Sequence, residues 1–316
     1  MNKVVSKIVS ALVTVLIVSF LVYGMQEIIP GDPAIAILGE EATPELIETV
    51  RSDLNLDDPF IVRYGRWLAD AARGDLGVSY RTNIPISDAI ISRLPVSAQL
   101  MVAAQFLALL FAIPGGIITA YRSGSRLDRV TTGGAFGFIS VPEFVLGLVA
   151  IFVFALGLGW LPATGWASPL ENPIQSLRST ILPAGTMALS ILAIYQRLLR
   201  SDMIATLQED YVMMARSKGL PTWHILFRHA LRPSSFSLIT LAGVNTGRLI
   251  GGSVIVETLF VIPGLGRLLV QSIFQRDFLM TQGVVLFIAV SYVLINTLVD
   301  LLYTVLDPRV RERATA

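Results

Sequence analysis

Long apolar stretches alternate with shorter polar segments along most of the chain. Six of these stretches can cross a bilayer as helices, because a helix rises about 1.5 Å per residue and roughly 20 residues span an apolar core of about 30 Å. They cover residues 8–29, 96–121, 131–159, 179–200, 233–262 and 281–305. The pattern predicts an all-α polytopic membrane protein with six transmembrane helices.

The longest polar segment separates the first two apolar stretches. Within it, residues 44–54 and 60–73 have helical patterns, and Pro44 suits a helix start. Turn signals stand at Gly31-Asp32-Pro33, Asp58-Pro59 and Gly74-Asp75. These features predict a small extracytoplasmic helical domain. The predicted organisation is an N-terminal transmembrane helix (1–29), an extracytoplasmic domain (30–95), a five-helix core (96–306) with a cytoplasmic loop at 201–232, and a cytoplasmic tail (307–316).

Composition agrees with a membrane protein. The chain has 316 residues, of which 53% are hydrophobic and 15% charged, and its mean hydropathy of +0.68 lies outside the range of soluble domains. A net charge of +1 gives no indication of nucleic acid as a partner. Cysteine is absent, which excludes disulfides, thiolate metal sites and a cysteine nucleophile.

The distribution of Lys and Arg predicts the orientation, because basic residues are retained on the cytoplasmic side. With the N-terminus inside, the cytoplasmic segments hold Lys3 and Lys7; Arg122, Arg126 and Arg129; Arg197, Arg200, Arg216, Lys218, Arg228 and Arg232; and Arg309, Arg311 and Arg313. Both termini are therefore predicted to be cytoplasmic. A cleaved signal peptide is the alternative for the first span, but its uncharged run from Ile8 to Gln26 is longer than such peptides carry.

The most basic cytoplasmic loop contains two short helical patterns. Residues 209–218 place acids at the start of a helix and bases at its end, matching the helix dipole, and Gly219 and Pro221 then provide a break. The next helix has an apolar face of Trp223, Leu226, Phe227 and Ala230 and a basic stripe of His224, Arg228 and Arg232. Such a pair suits either docking to a protein or lying on anionic lipid.

This loop resembles the EAA loop of ABC importer permeases. The resemblance rests on Tyr211, Ala215, Arg216, Lys218 and Gly219, followed by Arg228-His229-Ala230-Leu231-Arg232-Pro233. The literal acid-Ala-Ala triplet is absent, because Met213, Met214 and Ala215 stand in its place. In that family the loop forms coupling helices that dock on an ATPase. The implied docking residues are Tyr211, Met214, Ala215, Arg216, Lys218, Gly219, Leu220 and His224.

Further motifs extend the resemblance over nearly the whole chain. They are Pro30-Gly31-Asp32-Pro33-Ala34, Arg93-Leu94-Pro95-Val96-Ser97, Pro263-Gly264-Leu265-Gly266-Arg267, Leu298-Val299-Asp300-Leu301-Leu302-Tyr303 and Asp307-Pro308-Arg309. Together they are similar to motifs of the dipeptide/oligopeptide/nickel permease family. Transporters of that family have two homologous permeases, and the long segment after the first span resembles the first of them. The resemblance implies a type I ABC importer permease fold in a bacterial plasma (inner) membrane, with 263–278 as an outer gate.

The same resemblance implies the partners and cofactors. The partners are a homologous second permease, two ATPase subunits or one fused ATPase, an extracytoplasmic substrate-binding protein and the lipid bilayer. ATP and Mg would be bound by the ATPases, since this chain has no phosphate loop, and Leu269 stands where a dinucleotide fingerprint after Gly264 and Gly266 needs a glycine. The only histidines, His224 and His229, lack clustered carboxylates, so we predict no metal site and no catalytic residues.

The fifth apolar stretch carries the candidate transport residues. Gly243, Gly247 and Gly251 form a ridge that suits close helix packing, either within the chain or against the second permease. Arg248 lies about 22 Å beyond Pro233 and shares a face with Asn245 and Gly252. We predict a translocation path of Asn245, Arg248, Gly252, Glu257 and, from the third span, Glu143. The alternative is a structural ion pair of Arg248 with Glu143 or Asp300.

The predicted function is that of a permease subunit of an ATP-driven importer, with peptides as the cargo. The same machinery could import nickel, glutathione or haem. A different class is an ion-coupled secondary transporter that uses Glu143, Arg248, Glu257 and Asp300 as a relay, and its inverted repeats are not visible in the sequence. A membrane scaffold or sensor would carry no flux.

Overall fold

The fold is all-α, as predicted. The computed structural model describes residues 3–28, 33–38, 43–53, 55–79 and 81–306. The helices are α1 (Lys3–Ile28), α2 (Pro33–Leu38), α3 (Pro44–Asp53), α4 (Phe60–Ala72), α5 (Ile86–Tyr121), α6 (Arg126–Ser140), α7 (Glu143–Ala150), α8 (Pro173–Leu207), α9 (Asp210–Ser217), α10 (Thr222–His224), α11 (Arg232–Leu259), α12 (Leu265–Phe274) and α13 (Phe278–Leu306). The predicted turn at Gly31-Asp32, the 307–316 tail and the Asp300 side chain lie outside the described residues.

Five helices among the described residues are long and apolar enough to cross a membrane, and the count rises to six if a bent pair forms one span. The five include α1, α5, α8, α13 and a continuous helix Thr222–Leu259 that contains α10 and α11. The bent pair is α6 with α7, extended by a π-helical segment Ile151–Gly157.

The third predicted span needs a correction. The sequence predicts one helix over 131–159 that Pro142 kinks, but α6 ends at Ser140 and α7 begins at Glu143, with an angle of 105° between the two parts. Pro142 explains the break, because its ring disfavours a helical conformation at the preceding residue. Val141 is accordingly extended, with φ −91° and ψ 128°.

Two compact units divide the chain. The first comprises Met1–Ser97 with Pro263–Thr297, and the second comprises Ala98–Ile262 with Leu298–Ala316. The core of the first unit joins the start of α5 to α12 and α13 through Ile86, Ile90, Leu268 and Val284. A side-chain contact strengthens this corner: Asp277 accepts hydrogen bonds from the Ser79 hydroxyl and from the backbone N–H of Met280, which caps α13.

Helix α4 lies against the C-terminal half of α1 within the first unit. Aromatic rings of Phe20 and Tyr23 on α1 contact Phe60, Tyr64 and Trp67 on α4 at centroid distances of 5.3–5.7 Å. The Tyr64 hydroxyl also lies 2.8 Å from the Ser19 hydroxyl and 3.3 Å from the carbonyl oxygen of Leu16. Part of the segment predicted as an extracytoplasmic domain is therefore held along an apolar span.

Helix α8 is the centre of the second unit and contacts α6, α7 and α11. Its partner α5 presents small residues every four positions, namely Ala104, Ala108, Ala112, Gly116 and Ala120. A methyl group added at Gly116 would approach Leu199 of α8 to 2.9 Å, so the two backbones lie close together. The buried core continues through Tyr195 and Met203 of α8 to Leu226 and Ala230, which lie just before α11 in the chain.

Candidate functional site

The basic loop predicted to dock on an ATPase forms a helix, a tight turn and the start of the longest membrane helix. Helix α9 ends in a Schellman motif, in which Leu220 N–H donates to the Ala215 carbonyl and Gly219 N–H donates to the Arg216 carbonyl. Gly219 has a φ of +72°, a conformation that favours glycine. Pro221 precedes the next helix with φ −64°. The predicted break and its cause are confirmed.

The second predicted short helix is not separate. From Thr222 the chain runs as one helix to Leu259, with Ile225–Leu231 in π-helical geometry. Pro233 lies just after this segment and cannot donate the hydrogen bond that an α-helix would send to the carbonyl of His229. The widened turn accommodates that loss. The part of the docking loop that begins at Thr222 is thereby continuous with the fifth span.

Tyr211 ties α9 to the carbonyl that Pro233 leaves without its α-helical donor. Its hydroxyl donates to the His229 carbonyl oxygen at 3.2 Å. Partial burial and the neighbouring Glu209 carboxylate raise the pKa of Tyr211, which keeps the hydroxyl in its donor form. Val212 and Ala215 add a buried apolar contact with Ile225. Helix α9 is therefore fixed to the base of the fifth span by both a hydrogen bond and packing.

Most of the predicted docking residues are accessible. Tyr211 and Met214 are 46% and 59% exposed, and Arg216, Lys218 and Gly219 are also exposed. Leu220 and His224 are half-buried. Ala215 is buried beneath α9, where its small side chain allows the close contact with Ile225. Its role in this fold is packing, while its neighbour Met214 points outward.

Asn245 and Arg248 belong to a polar cluster that joins α5, α8 and α11. The Tyr195 hydroxyl lies 3.1 Å from Nε2 and 3.2 Å from Oε1 of Gln105, and Asn245 and Arg248 lie near the same hydroxyl. Asn245 is buried, and its Nδ2 finds no acceptor among the described residues. Arg248 is exposed. Sequence reasoning missed Gln105 and Tyr195, because neither interrupts an apolar pattern as a charge does.

The other predicted path residues lie further along α11. The Glu143 carboxylate faces Gly252, since a methyl group added at Gly252 would lie 3.8 Å from its Oε2. Glu257 is fully buried. Glu143 forms no ion pair with Arg248, and within the described ranges Arg248 has no acidic partner. The structure thus brings Asn245 together with Arg248, and Glu143 together with Gly252, as two separate groups.

The glycine ridge of α11 divides into two parts. A methyl group at Gly243 would approach Val299 Cγ1 of α13 to 2.5 Å, so this glycine serves packing within the chain. Gly247 is also buried. Gly251 is exposed and has no atom within 4 Å of the equivalent position. Only this last glycine presents an open surface.

A buried ion pair near the start of α6 was not anticipated. Arg200 of α8 donates from Nε and one terminal nitrogen to the two Asp128 oxygens at 2.6 and 2.7 Å, and the Asp128 side chain is only 5% exposed. The Gly124 N–H also donates to Asp128. One signal could have located the aspartate: Ser125 and Asp128 have capping-box spacing, and Ser125 does accept from the Asp128 N–H. Its partner, 72 residues away, leaves no local pattern.

Comparisons with known proteins identify the class. Residues 112–312 match the family described as "binding-protein-dependent transport system inner membrane component", and residues 1–101 match the N-terminal part of such membrane components. A Brucella abortus (strain 2308) protein named as a peptide transport system permease is 41% identical over 308 residues, covering 98% of each chain. A Sinorhizobium fredii protein named as a peptide ABC transporter permease is 36% identical over 309 residues, again covering 98% of each.

A relative with a different named cargo is similar over the same length. The glutathione transport system permease protein GsiC of Escherichia coli (strain K12) is 36% identical over 311 residues, which cover 98% of this chain and 99% of GsiC. The fold and these matches define a membrane subunit of a transport system. The chain belongs to the family of binding-protein-dependent inner-membrane components, the permeases of ABC importers. It is a multi-pass inner-membrane permease, as its sequence motifs indicated.

Proposed function

We propose that this permease imports peptides with a homologous second permease, two ATPase subunits or one fused ATPase, and an extracytoplasmic binding protein. Two relatives named for peptide transport support the cargo. A relative named for glutathione transport makes glutathione, a small peptide-like molecule, the second candidate cargo. Nickel and haem are further alternatives. ATP and Mg would bind to the ATPases, and this chain would receive their motion.

The observation that carries the proposal is the attachment of α9 to the start of the fifth span, the continuous helix Thr222–Leu259. ATPase closure would push on the exposed face of α9, with both termini of the chain on the same, cytoplasmic side. The Tyr211 to His229 hydrogen bond and the Ala215 to Ile225 packing would pass this displacement to Thr222–Leu259. The Thr206 and Ser234 hydroxyls, 3.0 Å apart, would pass part of it to α8. Such motion would open the path to opposite sides of the membrane in turn.

Single cysteines test the docking and the orientation, because the chain has no cysteine of its own. Met214→Cys is expected to crosslink to the ATPase in the assembled complex and to react with an impermeant thiol reagent only from the cytoplasmic side. Leu170→Cys, which is 95% exposed in the loop before α8, is the control and should react only from the opposite side without crosslinking. Labelling of Met214→Cys from outside would contradict the orientation.

Measurements of ATP hydrolysis and cargo uptake by the complex in proteoliposomes test both the class of transporter and the identity of the cargo. With the binding protein present, dipeptides or oligopeptides are expected to stimulate ATP hydrolysis and uptake more than glutathione, nickel or haem does. A secondary transporter would instead take up cargo without ATP, driven by an ion gradient. Cargo uptake by this chain in the absence of the ATPases would therefore overturn the proposal.

Arg248 is proposed to line the path beside Asn245. Its exposure, and the Asn245 amide group that lacks an acceptor within the described part of the chain, support a role in contacting a peptide carboxylate or carbonyl. Arg248→Ala is expected to lower cargo uptake about ten- to a hundredfold, since a hydrogen bond to a charged group contributes about 1.5–3 kcal/mol. Arg248→Lys should keep part of the uptake. Intact uptake by Arg248→Ala together with poor complex assembly would assign Arg248 a structural role.

A further inference from the structure

A groove runs along the fifth span where it leaves the docking loop. It encloses about 850 Å³ between α5 and the helix Thr222–Leu259. Its apolar wall is formed by Leu109 and Ile113 of α5 and by Leu238, Ile239 and Ala242 of α11. Arg232 and Ala242 are separated by about 15 Å along the helix, which is close to the depth of one leaflet of a bilayer with an apolar core of about 30 Å. The groove therefore has the length of a single leaflet.

One end of the groove is cationic. His224, Arg228 and Arg232 line it together with the Ser235 hydroxyl, and no acidic residue contributes to the lining. Both arginines are exposed, and neither forms an ion pair with a residue that the structure describes. Trp223 and Phe227, 65% and 55% exposed, stand at this same end. Aromatic rings beside arginines are typical of the level of lipid headgroups.

We propose that this groove binds an anionic phospholipid, with an acyl chain along the α5 and α11 wall and the phosphate between Arg228 and Arg232. Basic pockets between membrane helices bind acidic headgroups, and the charge and the apolar wall match the two parts of such a lipid. An apolar helix of a partner would leave the cationic groups without counter-charge. Of the predicted docking residues only His224 lines the groove. The exposed face of α9 that carries Met214 and Lys218 does not, which leaves that face available for an ATPase.

Fluorescence quenching tests the site in the assembled complex. The complex is reconstituted in phosphatidylcholine vesicles that contain a fixed minority of brominated phosphatidylglycerol, and parallel vesicles contain brominated phosphatidylcholine. Because bromine quenches nearby tryptophan, the difference between the parent chain and Trp223→Phe isolates the groove from the other tryptophans. We expect saturable quenching of Trp223 by the brominated phosphatidylglycerol and much weaker quenching by the brominated phosphatidylcholine.

The double variant Arg228→Gln/Arg232→Gln should raise the fraction of brominated phosphatidylglycerol that gives half-maximal quenching by about 30-fold. This factor corresponds to about 1 kcal/mol for each arginine near the surface. The matched control is Arg122→Gln/Arg129→Gln, which removes two exposed arginines that do not line the groove and should leave the quenching unchanged. Recovery of the complete complex with each double variant establishes that the chain folds.

Four outcomes would overturn the lipid site. They are equal quenching by the two brominated lipids, no change in Arg228→Gln/Arg232→Gln, an equal loss in Arg122→Gln/Arg129→Gln, and displacement of the lipid by soluble glycerol phosphate at a similar concentration. Loss of the ATPase from Arg228→Gln/Arg232→Gln with unchanged lipid quenching would show that this end docks a protein, and would also count against the proposal. The readout requires no ATP hydrolysis, so it is independent of cargo transport.

Discussion

Arg200→Ala is expected to lower the free energy of unfolding by about 2–3 kcal/mol, because it leaves the Asp128 carboxylate buried without its partner. Removing one member of a fully buried pair costs about 3–5 kcal/mol. The smaller value follows from the partial exposure of Arg200, whose side chain is 24% accessible. The midpoint temperature of thermal unfolding of the purified complex in detergent measures the loss. Helix α6 should detach from α8 first, since this pair joins them.

Two further variants make the Arg200 prediction specific. Arg197→Ala, one turn earlier on α8, removes an exposed arginine that stacks 5.3 Å from the Phe136 ring and should cost about 1 kcal/mol or less. Adding Asp128→Asn to Arg200→Ala should restore most of the stability, because the amide is neutral and still accepts from the Gly124 N–H. Equal losses in Arg197→Ala and Arg200→Ala would contradict a special role for the buried pair.

Gly243→Leu and Gly251→Leu should behave differently although both lie on the same ridge of α11. Leucine at Gly243 must occupy the space of Val299, a stiff β-branched side chain, and overpacking of this kind costs about 2–3 kcal/mol. Leucine at Gly251 meets open space and gains helix propensity, so its effect on the chain itself should be neutral or slightly stabilising. The effect of each variant is measured as the amount of the chain that accumulates in the membrane and as the midpoint temperature of its thermal unfolding.

The same pair of variants decides what the open end of the ridge contacts. If Gly251 faces the second permease, Gly251→Leu will accumulate normally but co-purify with less of that partner. If the complex and its transport are unchanged, the partner-facing interpretation of the ridge fails and Gly251 faces lipid. Equal instability of Gly243→Leu and Gly251→Leu would show that the packing against Val299 is not the cause.

Local chemistry made several parts of the fold predictable. Pro44 and Gly219 act within one helical turn, so α3 begins at Pro44 and α9 ends in the expected left-handed turn. Apolar length likewise identified α1, α8 and α13. The candidate docking residues came from the pattern around Gly219, and the exposure of Tyr211 and Met214 agrees with an accessible surface. Their contact with an ATPase stays a prediction.

The features that escaped prediction depend on partners distant in the sequence. The Asp128 and Arg200 pair, and the cluster of Gln105 with Tyr195 and Asn245, are formed only when α5, α6, α8 and α11 pack. The break at Pro142 was expected as a kink, because a proline pattern alone does not state whether the helix continues. The early start of α5 at Ile86 escaped because exposed polar residues such as Asp88 interrupt the apolar pattern, although Ile86 and Ile90 are buried.

The unbroken helix from Thr222 to Leu259 is long enough to transmit a rotation from one membrane face to the other. Its 38 residues extend about 57 Å, nearly twice the apolar thickness of a bilayer. A rotation of about 10° around its midpoint would carry each end about 5 Å, in opposite directions. A small displacement of the helix end beside Tyr211 would therefore move the Leu259 end in the opposite direction. Inward movement of the helix at one membrane face would accompany outward movement at the other.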